Sequence, residues 1–298
     1  MIMLEITAYA KINLFLEITG KLPSGYHTVD TVMQSVSLSD SIGIELISKD
    51  RGIILHVGDK HIPSDERNIA YRAAKKYLEA TEADCGVEIY LKKGIPSEAG
   101  MGGGSADGAA VLVGINKLCG GLLDNRELSG IASTIGADVP FCIEGGTQRL
   151  GGIGTDHIES FSSPELNLVI AKPCTGISTP AAYGYLDTLY NNFSEHSSVS
   201  SAELVEALRS RKDNLIRKLM FNRFEEASRG LCPESNELIS FMSERSLGAL
   251  LSGSGAAVFA IAENDNQAIE LEKSIRTHYP DYFVTTAKTV PSGCIIKD

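Results

Sequence analysis

The chain has 298 residues, long for one packed core and comfortable for two. A formal net charge of −11 excludes the basic face of a nucleic-acid or membrane-surface binder, and no apolar run approaches the roughly 18 residues of a membrane span. With 43% hydrophobic and 22% charged residues it reads as globular and cytoplasmic; six scattered cysteines without a Cys-x-x-Cys point to reduced thiols rather than disulfides or zinc.

In "AKINLFLEI", Ile12, Leu14, Leu16 and Ile18 alternate with Lys11, Asn13, Phe15 and Glu17, which predicts a strand over 10–18 with one buried side. A Gly and Pro loop follows, then strand-like stretches in "VDTVMQSVSLSDSIGIEL" and "GIILHVG". Apolar spacing predicts a helix over 67–81, and "GVEIYL" a strand leading into a glycine loop. Helices are expected over 105–118, with Ser105 as its N-cap, and over 126–135, which Gly136 can close. The Gly and Ser rich stretch 151–165 is the expected lobe boundary. Beyond it come a strand at "LNLVIA", helices near 180–190, 201–209 and 234–245, strands in "GALLSG" and "AAVFAIA", a helix near 266–277 and a strand near 283–290. "NNFSEHSSVSS" reads as a polar loop.

The stretch "IPSEAGMGGGSADGAA" lies between a predicted strand and helix. Its glycines let backbone amides approach a ligand, and the free N–H groups of the helix point the same way, a geometry that favours phosphate. A tight strand-to-helix corner explains the loop equally well. Spacing excludes the P-loop and the dinucleotide fingerprint, because no Gly-x-x-x-x-Gly-Lys occurs and Asp107 stands where a third small residue is needed. Lys11 and Asn13 share one strand face, with an exposed polar face as the alternative. Asp138 in "IGADVPF" is held between a glycine and a proline expected to keep Val139 extended; a local Asx hydrogen bond is the alternative for its side chain.

Pro96, Gly100, Met101, Gly102, Gly103, Gly104, Ser105 and Asp107 resemble the ATP loop of the GHMP small-molecule kinases, which include galactokinase and the homoserine, mevalonate and phosphomevalonate kinases. "AKINLFLEITGKLPSGYHTVDTVMQSV" and "LLSGSGAAVFA" resemble the first and third motifs of that family, in the same order. Tyr9, Met101 and Ala106 depart from it, standing where Pro, Leu and a second Ser are usual. The likeness runs from about residue 7 to residue 290.

The resemblance implies a two-lobed α+β GHMP kinase fold with a left-handed βαβ crossover and a ferredoxin-like second lobe. Residues 1–155 would form the ATP-binding lobe and 156–283 the substrate lobe, with a last strand, about 284–298, returning to the first. It also implies ATP and Mg²⁺ as cofactors. Asp138 would take the proton of the substrate hydroxyl, with Lys11 and Asn13 beside it; the glycine loop from Pro96 through Ala106 would cradle ATP, with Asn68 and Lys92 near the adenine and ribose. Ser105 would be the Mg²⁺ ligand. A helix N-cap and a solvated strand end remain alternatives for Asn68 and Lys92.

Lys-Ile-Asn-Leu followed by Gly-Tyr-His resembles the members acting on a small cytidine diphosphate substrate, whose C2 hydroxyl on a methylerythritol is phosphorylated in non-mevalonate isoprenoid precursor synthesis. The resemblance implies that His27 reads the cytosine edge, that Tyr26 and Tyr183 pack on its faces with Thr179 nearby, and that Gly253 and Ser254 meet the diphosphate. Burial between lobes is the alternative for Tyr183, and a tight turn the one for "SGSG". A homoserine or mevalonate type kinase, a decarboxylase and a non-catalytic nucleotide or sugar sensor are the competing functions; monomer and homodimer both remain open.

Overall fold

The computed structural model describes residues 3–162, 164–190, 193 and 197–297. Much of the polar loop read in 191–201 lies outside them.

A long antiparallel hairpin forms the spine of the first lobe: β1 (Leu4–Lys21) pairs with β2 (His27–Ile47) along nearly its full length. The pairing skips a residue between Asn13 and Phe15, and such a bulge re-aims neighbouring side chains. β3 (Ile53–Val57) and β4 (Gly86–Lys92) are parallel and joined through α1 (Ile69–Thr81), the βαβ unit of the sheet. The glycine loop then enters α2 (Gly103–Leu118), followed by α3 (Asn125–Ile135) and a short α4 (Val139–Glu144). β5 (Thr147–Gly151) pairs with β2 and with β6 (Asp156–Phe161).

α2 is alanine-rich because it lies in contact with the sheet. A Cβ on Gly114 would sit 2.4 Å from Ile6 and 2.5 Å from Ile44, so a larger side chain there would force the layers apart.

The second lobe begins with β7 (Asn167–Lys172) and runs through α5 (Thr179–Leu189), α6 (Ser201–Arg209) and α7 (Asp213–Leu219). A two-residue strand β8 (Phe221–Asn222), α8 (Phe224–Leu231) and α9 (Pro233–Ser243) follow. β9 (Gly248–Leu251), β10 (Val258–Ala262), α10 (Asp265–His278) and β11 (Phe283–Lys288) complete the sheet, whose order is β11-β7-β10-β9. In chain order that is the fourth, first, third and second strand of a β-helices-β-β-α-β unit, the ferredoxin-like topology. β12 (Cys294–Ile296) then returns to pair with β1, so the strand expected near 283–290 belongs to the second sheet and the return is made by the residues after it.

Several sequence expectations change. The stretch 151–165 holds a turn and β6, which stays in the first sheet, so a boundary drawn from the sheets falls after Phe161 rather than after 155. Val139 is helical, because Pro140 falls in the first turn of α4, where a missing N–H costs nothing. α2 starts at Gly103 with Gly102 as its N-cap, so Ser105 lies inside the first turn. The strand over 10–18 has no exposed side: Lys11, Asn13 and Glu17 are 4%, 0% and 3% exposed.

Candidate active site

The second lobe meets β1 edge to edge, where β8 pairs with it in parallel at Phe15 and Leu16, and the Lys11 side chain is covered by the loops at Gly102 and Gly253, where added Cβ atoms would lie 3.1 Å from it. Lys11 and Asn13 therefore project not into solvent but into a cleft of about 940 Å³ lined by both lobes. The Lys11 ammonium donates to Asn13 Oδ1 at 2.7 Å and lies 3.5 Å from Asp138 Oδ2. Asn13 Nδ2 in turn donates to the Thr31 hydroxyl at 2.9 Å, which donates to the Phe15 carbonyl at 2.6 Å. Each member of this chain donates to the next, which orients the ammonium and leaves it further N–H donors facing the cleft.

Asp138 is the N-cap of α4, yet its side chain makes no capping hydrogen bond. The Asx alternative is thereby overturned: the carboxylate, 29% exposed, faces Lys11 and the cleft.

Four glycine positions shape the other wall. An added Cβ at Gly100, where φ is +68°, would lie 2.0 Å from the Ser252 carbonyl oxygen, and one at Gly102 would lie 3.1 Å from Lys11 Cγ. At Gly103 and Gly104 it would meet Ile95 and Ile69 at 3.0 and 3.1 Å. Only glycine lets the loop pass this close. The amides of the first α2 turn have no intrahelical acceptor and form the positive end of the helix. The first amide spent inside the helix is that of Ala106, which donates to the Gly102 carbonyl at 2.8 Å. Pro96, Met101 and Ser105 line the cleft beside the glycines, whereas Ala106 is 1% exposed and points into the core.

Two expected nucleotide contacts are not brought to the cleft. Asn68 caps α1, accepting from the Ala70 amide at 2.9 Å and donating to the Pro63 carbonyl at 2.8 Å. Asn68→Ala is accordingly expected to lower stability by about 0.5 to 2 kcal/mol and leave the KM for ATP within about twofold, checked by thermal unfolding and initial rates. Lys92 is exposed and lines a different hollow, with Tyr90 and His56.

The lysine of this pair that lines the cleft is Lys93, which donates to Asp40 at 2.5 Å and Asp107 at 2.6 Å. Strand phase marks it: Val87, Ile89 and Leu91 are buried, and period two puts residue 93 on that face and 92 on the other. Asp40 also accepts from the Gly94 and Ile95 amides at 2.6 and 2.8 Å, which anchors the stem of the loop. Burial pushes the Asp107 carboxyl above its ordinary value despite Lys93. Burial also opposes the Lys93 ammonium, but its two carboxylates outweigh that and raise it.

At the far end of the cleft the rings gather. His27 is stacked on Tyr183, centroids 4.6 Å apart at 17°, and meets Phe193 edge-on at 5.3 Å. Tyr183 is braced edge-on by Phe224 at 4.8 Å, and burial raises its phenol to about 12, so it is a neutral ring at physiological pH. His27 thus occupies one face of Tyr183. Tyr26 is 65% exposed on the preceding loop and lines the cleft.

Asp187 of α5 binds His27 Nε2 at 2.8 Å and Lys21 Nζ at 2.6 Å, joining the lobes at this end. Burial works to raise the Asp187 carboxyl, and Lys21 and His27 together bring it below its ordinary value. Thr179 and Ser254 share a hydroxyl hydrogen bond of 2.9 Å, and Gly253 approaches so closely that an added Cβ would lie 3.1 Å from Lys11 Nζ. Thr31, Lys93, Asp187 and Phe224 were not foreseen. Apart from the phase of Lys93, nothing local in the chain distinguishes them.

Two family models match, GHMP kinases N terminal domain over residues 68–146 and GHMP kinases C terminal over 204–281. The chain is 39% identical to the 4-diphosphocytidyl-2-C-methyl-D-erythritol kinase of Desulfitobacterium hafniense strain Y51, covering 98% of this chain and 97% of the other. It is 37% identical to the enzyme of the same name from Caldicellulosiruptor bescii, covering 95% and 98%. A crystal structure of 4-(cytidine 5'-diphospho)-2C-methyl-D-erythritol kinase superposes with a TM-score of 0.78 at 30% identity, covering 95% of this chain and 98% of that one. The homoserine kinase of Cytophaga hutchinsonii reaches the same TM-score at 20% identity, over 99% and 97% of the two chains, a likeness of fold. A paired lysine and aspartate beneath a glycine loop, two matching family models and near full-length relatives lead to one conclusion: the chain belongs to the GHMP kinases, a family of small-molecule phosphotransferases, and within them to the 4-diphosphocytidyl-2-C-methyl-D-erythritol kinase family.

Proposed function

We propose that this chain transfers the γ-phosphate of ATP to the C2 hydroxyl of 4-diphosphocytidyl-2-C-methyl-D-erythritol. The observation that carries the reading is that one cleft holds the Lys11 and Asp138 pair beside the first turn of α2 and a cluster of aromatic rings at its other end. Phosphoryl transfer requires positioning and charge neutralisation more than covalent chemistry. The amides of Gly103, Gly104 and Ser105 receive the phosphates at the positive end of α2. Asp138 accepts the proton of the attacking hydroxyl, and Lys11, fixed by Asn13, offsets charge developing on the transferring oxygens.

Among the described residues no group of three or more His, Cys, Asp or Glu could hold a metal. The donors present fit a hydrated Mg²⁺ carried on the nucleotide, with the Ser105 hydroxyl as the protein ligand. Bound there, the ion supplies charge neutralisation to the phosphates. Because Ala106 faces the core, the second hydroxyl missing at that position is one that would have pointed away from the cleft.

On the substrate side, Tyr26 and the free surface of the Tyr183–His27 stack suit a flat base, and Gly253, Ser254 and Thr179 suit its diphosphate. A small aliphatic alcohol gives these rings no task, which favours the cytidine substrate over homoserine or a mevalonate derivative. The test is ADP release with Mg·ATP across the cytidine diphosphate substrate, methylerythritol phosphate, homoserine and phosphomevalonate. Turnover is expected with the first alone, and turnover with any acceptor lacking the cytidine overturns the reading.

A further inference from the structure

The second lobe reaches the phosphate-transfer centre through four consecutive residues, 222–225, that no motif marked. Asn222, 3% exposed, uses both hydrogens of its amide on the loop after β9, donating to the Leu251 and Gly253 carbonyls at 2.8 Å each. Its Oδ1 accepts from the Phe224 amide at 2.9 Å at the start of α8. Arg223 binds Glu17 of β1 through two contacts of 2.8 Å, and its amide donates to the Leu16 carbonyl at 2.9 Å. Phe224 braces Tyr183, and Glu225 accepts from the Leu251 amide at 3.2 Å. The segment therefore holds both polar groups of Leu251 while itself anchored to the strand that carries Lys11 and Asn13.

We infer that Asn222 is a positioning residue that fixes the peptide between Gly253 and Ser254, and thereby aims the Ser254 N–H at an anionic group of the substrate. A trans peptide is planar, and its carbonyl and N–H point in opposite directions. With the Gly253 carbonyl drawn back onto Asn222, the Ser254 N–H is directed away from that side chain, and Ser254 lines the cleft. The loop has no slack to turn otherwise. Gly253 already lies so close that an added Cβ would be 2.5 Å from the Gly100 carbonyl oxygen, and the Ser252 hydroxyl donates to that same oxygen at 3.1 Å. An N–H pinned in this way is a donor that needs no reorganisation when a diphosphate arrives. The inference rests on the reading above of this cleft as the site of a nucleoside diphosphate substrate.

Asn222→Asp is the informative variant. It keeps the size of the side chain and the acceptor for the Phe224 amide, so α8 retains its start, but it turns a carboxylate oxygen toward two carbonyls. The measurements are calorimetric affinities for CDP, for cytidine, and for a non-hydrolysable ATP analogue. Affinity for CDP is expected to fall at least about tenfold while cytidine and the ATP analogue stay within about twofold, and KM for the phosphoryl acceptor should rise more than kcat falls. A merely structural role would weaken CDP and cytidine together; that result, or unchanged CDP affinity, overturns the inference. If the Asp variant does not fold, Asn222→Ser, which loses the bridging amide without adding charge, is judged by the same CDP to cytidine ratio. Turnover of the wild-type protein with the cytidine diphosphate acceptor is read separately, so failure of the functional reading is distinguishable from failure of the Asn222 assignment.

Discussion

Asp138→Asn is expected to lower turnover by roughly 10² to 10⁴ while the affinity for ATP stays within about twofold. The size follows from what the side chain does not do. Asp138 caps α4 without a side-chain hydrogen bond to the backbone, so replacing one oxygen by nitrogen removes no helix contact. It does remove the basic carboxylate that the Lys11 pair offers to an attacking hydroxyl, and it turns a 3.5 Å ion pair into a contact between an ammonium and a neutral amide. The loss should therefore appear in kcat with little change in the thermal midpoint. Steady-state rates at saturating ATP, together with ATP affinity measured by calorimetry, check it. Turnover near the wild-type value would remove Asp138 from the role of base.

Lys11→Met is expected to lower kcat by about 10² to 10³, the range for losing one preorganised donor at a developing negative charge. Met approximates the length of the lysine stem and fills the buried channel beside Gly102, where an added Cβ would lie 3.3 Å from Lys11 Cε, so the packing should survive. What is lost is the charge, together with the donor to Asn13 Oδ1 in a residue with no exposed surface. Some destabilisation is expected from that unpaired oxygen, on the order of 1 to 3 kcal/mol. Two measurements separate the effects: denaturant unfolding reports the oxygen, and single-turnover phosphoryl transfer reports the charge. Because Lys11 and Asp138 act as a pair, the double variant should lose far less than the product of the two single losses.

The elements that were legible share one property: their pattern is local. The alternation in β1 and β4, the capped helix at Asn68, the glycine run entering an alanine-rich helix, and the two short strands flanking "SGSG" all follow from periods of 2 and 3.6 and from backbone permissiveness. The glycine loop was legible for the same reason as a place of close backbone approach, since that closeness is written in its residues' lack of Cβ, although a tight corner accounted for it equally well. Where a local rule met a competing context it went wrong. Pro140 was read as holding Val139 extended, but a proline in the first turn of a helix is equally comfortable, and α4 forms. The Gly and Ser rich stretch looked like a linker, yet Gly152 and Gly154 only make the turn into β6.

By itself, then, the chain determined the order of its elements, its family, the glycine loop and the residue types available for catalysis. Tertiary structure decided which of them meet. It buried Lys11 by bringing the loops at Gly102 and Gly253 onto a side chain that alternation alone would leave in solvent, and it placed Lys93 rather than Lys92 in the cleft. It also left Asp138 without a local partner and brought Asn222 to the Gly253 carbonyl and Arg223 to Glu17, 206 positions away. The physical reason is that propensity and periodicity report what a residue does with its neighbours in the chain. Burial, hydrogen bonding and charge in a cleft depend on atoms supplied from elsewhere, and those atoms are placed only when the two lobes close around β1.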